Sequence, residues 1–198
     1  MKQLTSLILA ATIFLASCNG GKPKETTITS SDGKEKVTID PTQMQDMAKD
    51  MQKKTEELQK LPPLTLDQLK ALLPEELMGA KKTNVNVSTM MGTGFANAEY
   101  KINDSTQIKL NFYDCAGPAG SGVYSMQYMG MMNFQSENDN EYTKTVDFKG
   151  GKAIENCKKQ SHDCTFTYFT GERYLVTLEG NNVTADELKT AAGNLNIK

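Results

Sequence analysis

Tryptophan is absent from these 198 residues, and histidine and arginine occur once each, as His162 and Arg173. Sugar-binding grooves commonly stack rings on aromatic faces, often Trp, so that class loses support. A bidentate clamp for phosphate or carboxylate would have Arg173 alone. A histidine general base would have His162 alone, and no Gly-x-Ser-x-Gly motif nominates a nucleophile for it. Positive charge is not in excess: 22 Lys and Arg face 24 Asp and Glu, a formal net charge of −2. That gives no basic footprint for nucleic acid and no strong field for steering. Long apolar runs are missing too. The longest, Leu4 to Leu15, falls well below the roughly 20 residues that a spanning helix needs.

That short run is informative for where it sits. Lys2 provides a positive start, Leu7, Ile8, Leu9, Ile13 and Phe14 form an apolar centre, and Ala16 and Ser17 are small residues before Cys18. This is the anatomy of a cleavable signal peptide. A buried helix would instead carry a polar face at a 3.6-residue period, and here only scattered Thr and Ser interrupt the run. Leu15-Ala16-Ser17-Cys18 resembles the lipobox of bacterial lipoproteins, Leu-(Ala/Ser)-(Gly/Ala/Ser)-Cys. The resemblance implies a diacylglyceryl group on the Cys18 thiol, cleavage between Ser17 and Cys18, and acylation of the new amine. Two or three chains hold a protein firmly to a bilayer, where one does not. Asn19 stands where an Asp would favour retention at the inner membrane, which points to the outer membrane. Residues 19–24, Asn-Gly-Gly-Lys-Pro-Lys, lack the acidic cluster that marks surface export, which points to the periplasmic face.

The division that follows is a signal peptide over 1–17, a lipidated tether or small hairpin over 18–40, an amphipathic helix over 41–61 and an α+β domain over 62–198. Thr26–Thr29 and Lys36–Ile39 are β-prone, with turn chemistry at Ser31 to Lys34 between them. Asp40 and Pro41 suit an N-cap and a first helical position, with Gln43 completing a capping box. Met44, Met47, Met51, Leu58 and Leu61 make a narrow apolar stripe, interrupted by Lys54. A helix of that pattern either lies on its own sheet or forms a homodimer seam. Thr65 caps a second short helix with Leu66, Leu69, Leu72 and Leu73 inward, and Pro74 ends it.

From residue 84 the period changes to two. The clearest strand is Gln107 to Asp114, with Ile108, Leu110 and Phe112 on one face. Ala116 to Gly122 reads as a Gly-rich break, and Val123 to Phe134 as a helix apolar nearly all round. Strands follow at Tyr142–Phe148, Lys152–Lys158, Cys164–Thr170 and Arg173–Glu179, then a helix capped by Thr184 and Glu187. Short turns between consecutive strands imply antiparallel pairing. The expectation is a single α+β domain, mainly an antiparallel sheet of five to seven strands packed with helices, preceded by the tether and the amphipathic helix.

Four features of the domain carry possible chemistry. Cys157 and Cys164 flank a polar segment that suits a hairpin loop, and an oxidising compartment would favour a disulfide between them, with Cys115 left over. With His162 they also offer N/S ligands for zinc, in a spacing unlike that of zinc ribbons, and Cys115 could be the fourth ligand. Met126, Met129, Met131 and Met132 resemble the thioether clusters of copper-handling proteins, though Met among Tyr and Phe also fills cores. The loop Gly117 to Gly122 lies between strand and helix as phosphate loops do, but has no Walker Lys. These signals nominate no catalytic residue and no cofactor. The expected role is a non-enzymatic envelope lipoprotein that binds a protein partner or stabilises an assembly. The alternative is metal (copper or zinc) or redox handling.

Overall fold

The computed structural model describes residues 26–29, 36–39, 41–90, 92–130 and 135–197. The expected signal peptide, its cleavage site at Ser17 and Cys18, most of the tether, the cap at Asp40, and Met131, Met132 and Phe134 lie outside them. Two compact units are distinguished, Met1–Met47 and Ala48–Lys198. Within the first, β1 (Thr26–Thr29) and β2 (Lys36–Ile39) pair antiparallel, Thr26 opposite Ile39.

The second unit is built on one antiparallel sheet of nine strands, an α+β fold. Its strands are β3 (Glu76–Leu77), β4 (Ala80–Met90), β5 (Thr93–Lys101), β6 (Gln107–Asp114), β7 (Gln135–Glu137), β8 (Glu141–Phe148), β9 (Gly151–Lys158), β10 (Cys164–Thr170) and β11 (Tyr174–Asn181). Across the sheet the order is β3-β4-β5-β6-β11-β10-β9-β8-β7. The count exceeds the expected five to seven because β3 and β7, of two and three residues, are too short to show a period. Both are edge strands, and short edges discourage pairing with other chains.

Alternation sorts the side chains between two covered faces. On one face Tyr100, Ile108, Leu110, Phe112, Val176, Leu178, Phe166 and Tyr168 form the main core. Two helices close it: α2 (Leu66–Ala71) through Leu69, and α4 (Ala185–Asn194) through Leu188, Ala191 and Ala192. Both begin with capping boxes, Thr65 with Gln68 and Thr184 with Glu187. Leu66, at the first position of α2, stays half-exposed rather than turning inward.

The other face carries Tyr113, Leu175, Phe169 and Ile154. It is covered by α3 (Gly117–Gly130) and by the part of α1 (Pro41–Lys60) that belongs to this unit, from Ala48 on. Met51, Leu58 and Leu61 of the narrow stripe pack there, against this chain's own strands. Lys54, which breaks the stripe, keeps its stem on that surface and sets its ammonium 5.8 Å from the Phe169 ring centre. Thr55 and Ser125 link the two helices, their hydroxyl oxygens 2.9 Å apart.

The helix after β6 corrects the sequence reading. It starts at Gly117, inside the stretch read as a break. Pro118 is compatible with a first helical turn, where its missing N–H is no loss. A Cβ on Gly120 would lie 2.6 Å from the Asp114 carbonyl oxygen, so the glycine there serves close packing of helix on strand. Nor is the helix buried all round: Met126 is 81% exposed.

Candidate functional site

The residues singled out around the cysteines do converge. β9 and β10 pair with Cys157 directly opposite Cys164, and the adjoining Lys158 N–H donates to the Asp163 carbonyl. This makes the cysteines a non-hydrogen-bonded pair, the type with the closer Cα atoms. They form a disulfide, with Cα atoms 4.1 Å apart. The bridge forms part of a cleft of about 380 Å³ that also reaches His162, Lys159 and the start of α4.

Three neighbours of the bridge carried no signal in the sequence. Tyr142 stands opposite Cys157, and Lys144 opposite Glu155. The Glu155 carboxylate is buried and accepts from the Tyr142 hydroxyl at 2.6 Å and the Lys144 ammonium at 3.1 Å. Burial, and then the carboxylate it donates to, push the Tyr142 phenol far above its usual range. The other cations are paired as well. Lys158 lies 3.7 Å from Asp163, and Lys159 is 2.7 Å from Glu137. Ser161 donates to Asp163, and this bond holds that carboxyl below its ordinary value.

The same turn holds α4 in place. His162 has a left-handed φ of 52°, its carbonyl accepts from Val183 N–H, and Asp163 accepts from Asn182 N–H. His162 therefore has a structural task through its backbone, while its side chain is exposed. As a zinc set, Cys157, His162 and Cys164 are changed by the disulfide: both thiols are consumed by the bond to each other. Cys115 is not near them. It is buried on the opposite face among Leu58, Tyr124 and Leu175. Among the described residues no group of three or more His, Cys, Asp or Glu is placed to hold a metal. Of the methionine cluster, Met126 points into solvent, and the rest falls outside the described side chains.

Arg173, the chain's one arginine, is also placed by the fold. Its guanidinium forks onto Asp114, with Nε 3.0 Å from Oδ1 and one terminal nitrogen 2.9 Å from Oδ2. The pair ties the end of β6 to the turn before β11.

A larger cleft, about 590 Å³, opens between the β3–β4 turn and α4. Leu72, Leu77, Met78, Ala191, Leu195 and Ile197 make its walls mostly apolar, and Glu76, Asp186 and Glu187 stand exposed at its rim. Glu187 accepts from Thr184 N–H, which with the Thr184 hydroxyl holds its carboxyl below the ordinary value. Asp186 borders both clefts. In comparisons with known proteins, no family model, curated protein or solved structure matches the chain.

Proposed function

We propose that the chain is a bacterial envelope lipoprotein, held to the outer membrane by acyl groups on Cys18, whose α+β domain faces the periplasm and binds a protein partner without catalysis. The observation that carries this is the stretch Leu15-Ala16-Ser17-Cys18 at the end of a basic-then-apolar start. Two further features agree with it. No helix among the described residues is long and apolar enough to cross a membrane. A disulfide between Cys157 and Cys164 suits an oxidising compartment. The binding role draws on the apolar-walled cleft, since large pre-formed clefts of this kind are usual binding sites. Metal handling is the weaker alternative, because its cysteine ligands are joined to each other.

The test is metabolic labelling with palmitate in a bacterial host. The chain is expected to carry label and to be cleaved before Cys18, and Cys18→Ala to lose both. Label retained by Cys18→Ala would remove the lipobox reading. Crosslinking in membranes, followed by mass spectrometry, tests the binding role. A chain that crosslinks to no protein would count against it.

A further inference from the structure

The β3–β4 hairpin turns through Met78 and Gly79, both with positive φ, 51° and 80°. Tight hairpins of this pattern favour Asn, Asp or Gly at the first of these positions, because a left-handed backbone crowds a longer side chain. Methionine is an unfavourable choice for the turn. It is no gain to the core either, since Met78 stays 39% exposed and lines the larger cleft. Met78 thus presents an adaptable apolar side chain at the cleft, where neither the turn nor the core gains from it.

The cleft's other walls define what that contact is. Leu77 and Leu195 are buried at its base, and Ile197 flanks it. Glu76 comes from β3, Asp186 and Glu187 from α4, so carboxylates stand on both sides of the apolar surface. Among the described residues, no Lys or Arg lines it. An anionic membrane surface would be repelled by such a rim, and a sugar would find no aromatic face among the described lining residues.

We propose that this cleft receives a peptide segment of a partner protein, seating apolar side chains against Met78, Leu77 and Ile197 and placing flanking Lys or Arg at the Glu76 and Asp186 carboxylates. The inference rests on the reading of the domain as a protein-binding module and names the chemistry of the partner. Rim charges steer and select, while the apolar side chains provide the seat.

The experiment uses the full chain in nonionic-detergent micelles, with protein-free micelles as blank. The probes are a fluorescent peptide alternating lysine and leucine, and its counterpart with glutamate replacing lysine. The lysine peptide is expected to bind saturably above the blank and the glutamate peptide not to. Glu76→Lys combined with Thr190→Lys should weaken the lysine peptide about tenfold and favour the glutamate one. Met78→Asn should raise the unfolding midpoint, because Asn suits the turn, yet weaken binding several-fold. The proposal is overturned if the lysine peptide shows no saturable binding or both peptides bind equally. It is also overturned if either variant binds as the native chain does. A chain that binds the peptide but takes no palmitate leaves the cleft standing and removes the anchor. A labelled chain that binds no peptide does the reverse.

Discussion

Arg173 holds Asp114 in a two-bonded fork across 59 positions of sequence, and Asp114 is fully buried beneath it. The carboxylate accepts two further bonds, from Leu64 N–H at 2.8 Å and Ala116 N–H at 3.2 Å, and Arg173 also donates to the Pro62 carbonyl. One ion pair thus joins the α1–α2 link, the end of β6, the entry to α3 and the turn into β11. Removing one partner of such a pair leaves an uncompensated buried charge. Arg173→Ala should therefore cost about 3–5 kcal/mol. Arg173→Lys should cost nearly as much, because an ammonium cannot reproduce the planar fork. Urea unfolding measures both. A loss below 1 kcal/mol for Arg173→Ala would mean that water replaces the guanidinium.

Gly120 and Gly122 share helix α3 but not an environment, and make a paired test. At Gly120 an added Cβ meets Asp114 O and the Cys115 carbonyl carbon at 2.6 Å, backbone atoms that cannot swing away. At Gly122 it meets nothing within 4 Å. Gly122→Ala should stabilise the protein by about 0.5–1 kcal/mol through helix propensity. Gly120→Ala should lose about 1–3 kcal/mol through overpacking, despite the same propensity gain. Thermal unfolding of both variants decides it, and shifts of the same sign would contradict the close approach of α3 to β6.

The sequence made these elements visible to very different degrees. Gln107–Asp114 could be read because Ile108, Leu110 and Phe112 fill one face while Lys109 and Asn111 mark the other. Cys157 and Cys164 could be paired because the six residues between them, at the ends of two strand-like runs, leave room for one turn. The start of α3 was hidden, because its three glycines read as a break while their packing depends on a strand that comes earlier. Glu155 was hidden for another reason. Tyr142 and Lys144 reach it only through the β8–β9 register, which passes through the tight turn at Lys149 and Gly150. Asp114 and Arg173 carry no local signal of each other, and only the sheet order sets β6 beside β11.

The disulfide closes a loop of sequence separation 7, so chain entropy alone predicts a stabilisation of about 2–3 kcal/mol. Cys157→Ser with Cys164→Ser should lose about that much, as should the native chain in reductant. The loss should fall first on the turn at 158–163 and on the start of α4, which that turn holds through His162 and Asp163. Amide exchange should show Val183 opening earlier than Leu178. In Cys18→Ala protein, titration should find one thiol after unfolding without reductant and three with it. Three free thiols before reduction would rule the bridge out.

That one thiol belongs to Cys115, fully buried among Leu58, Tyr124 and Leu175. Burial pushes it up from 9.0 to about 12, only partly offset by the Leu175 backbone hydrogen bond. The sign follows from which state holds the proton more tightly. A raised folded value means that the unfolded chain ionises first, so the contribution is complete below pH 9.0 and is lost as pH rises toward about 12. Burial raises the Tyr100 and Tyr168 phenols as well, from 10.0, so they add to the same alkaline loss at higher pH. Urea midpoints should hold steady near pH 8 and fall above pH 9, and Cys115→Ala should flatten the first part of that fall. At pH 8 iodoacetamide should leave Cys115 unlabelled in the native protein and label it on unfolding, since the thiolate is the reactive form. Rapid native labelling at Cys115, or an unchanged alkaline profile in Cys115→Ala, would show that the α1 and α3 cover over this face opens far more readily than its packing implies.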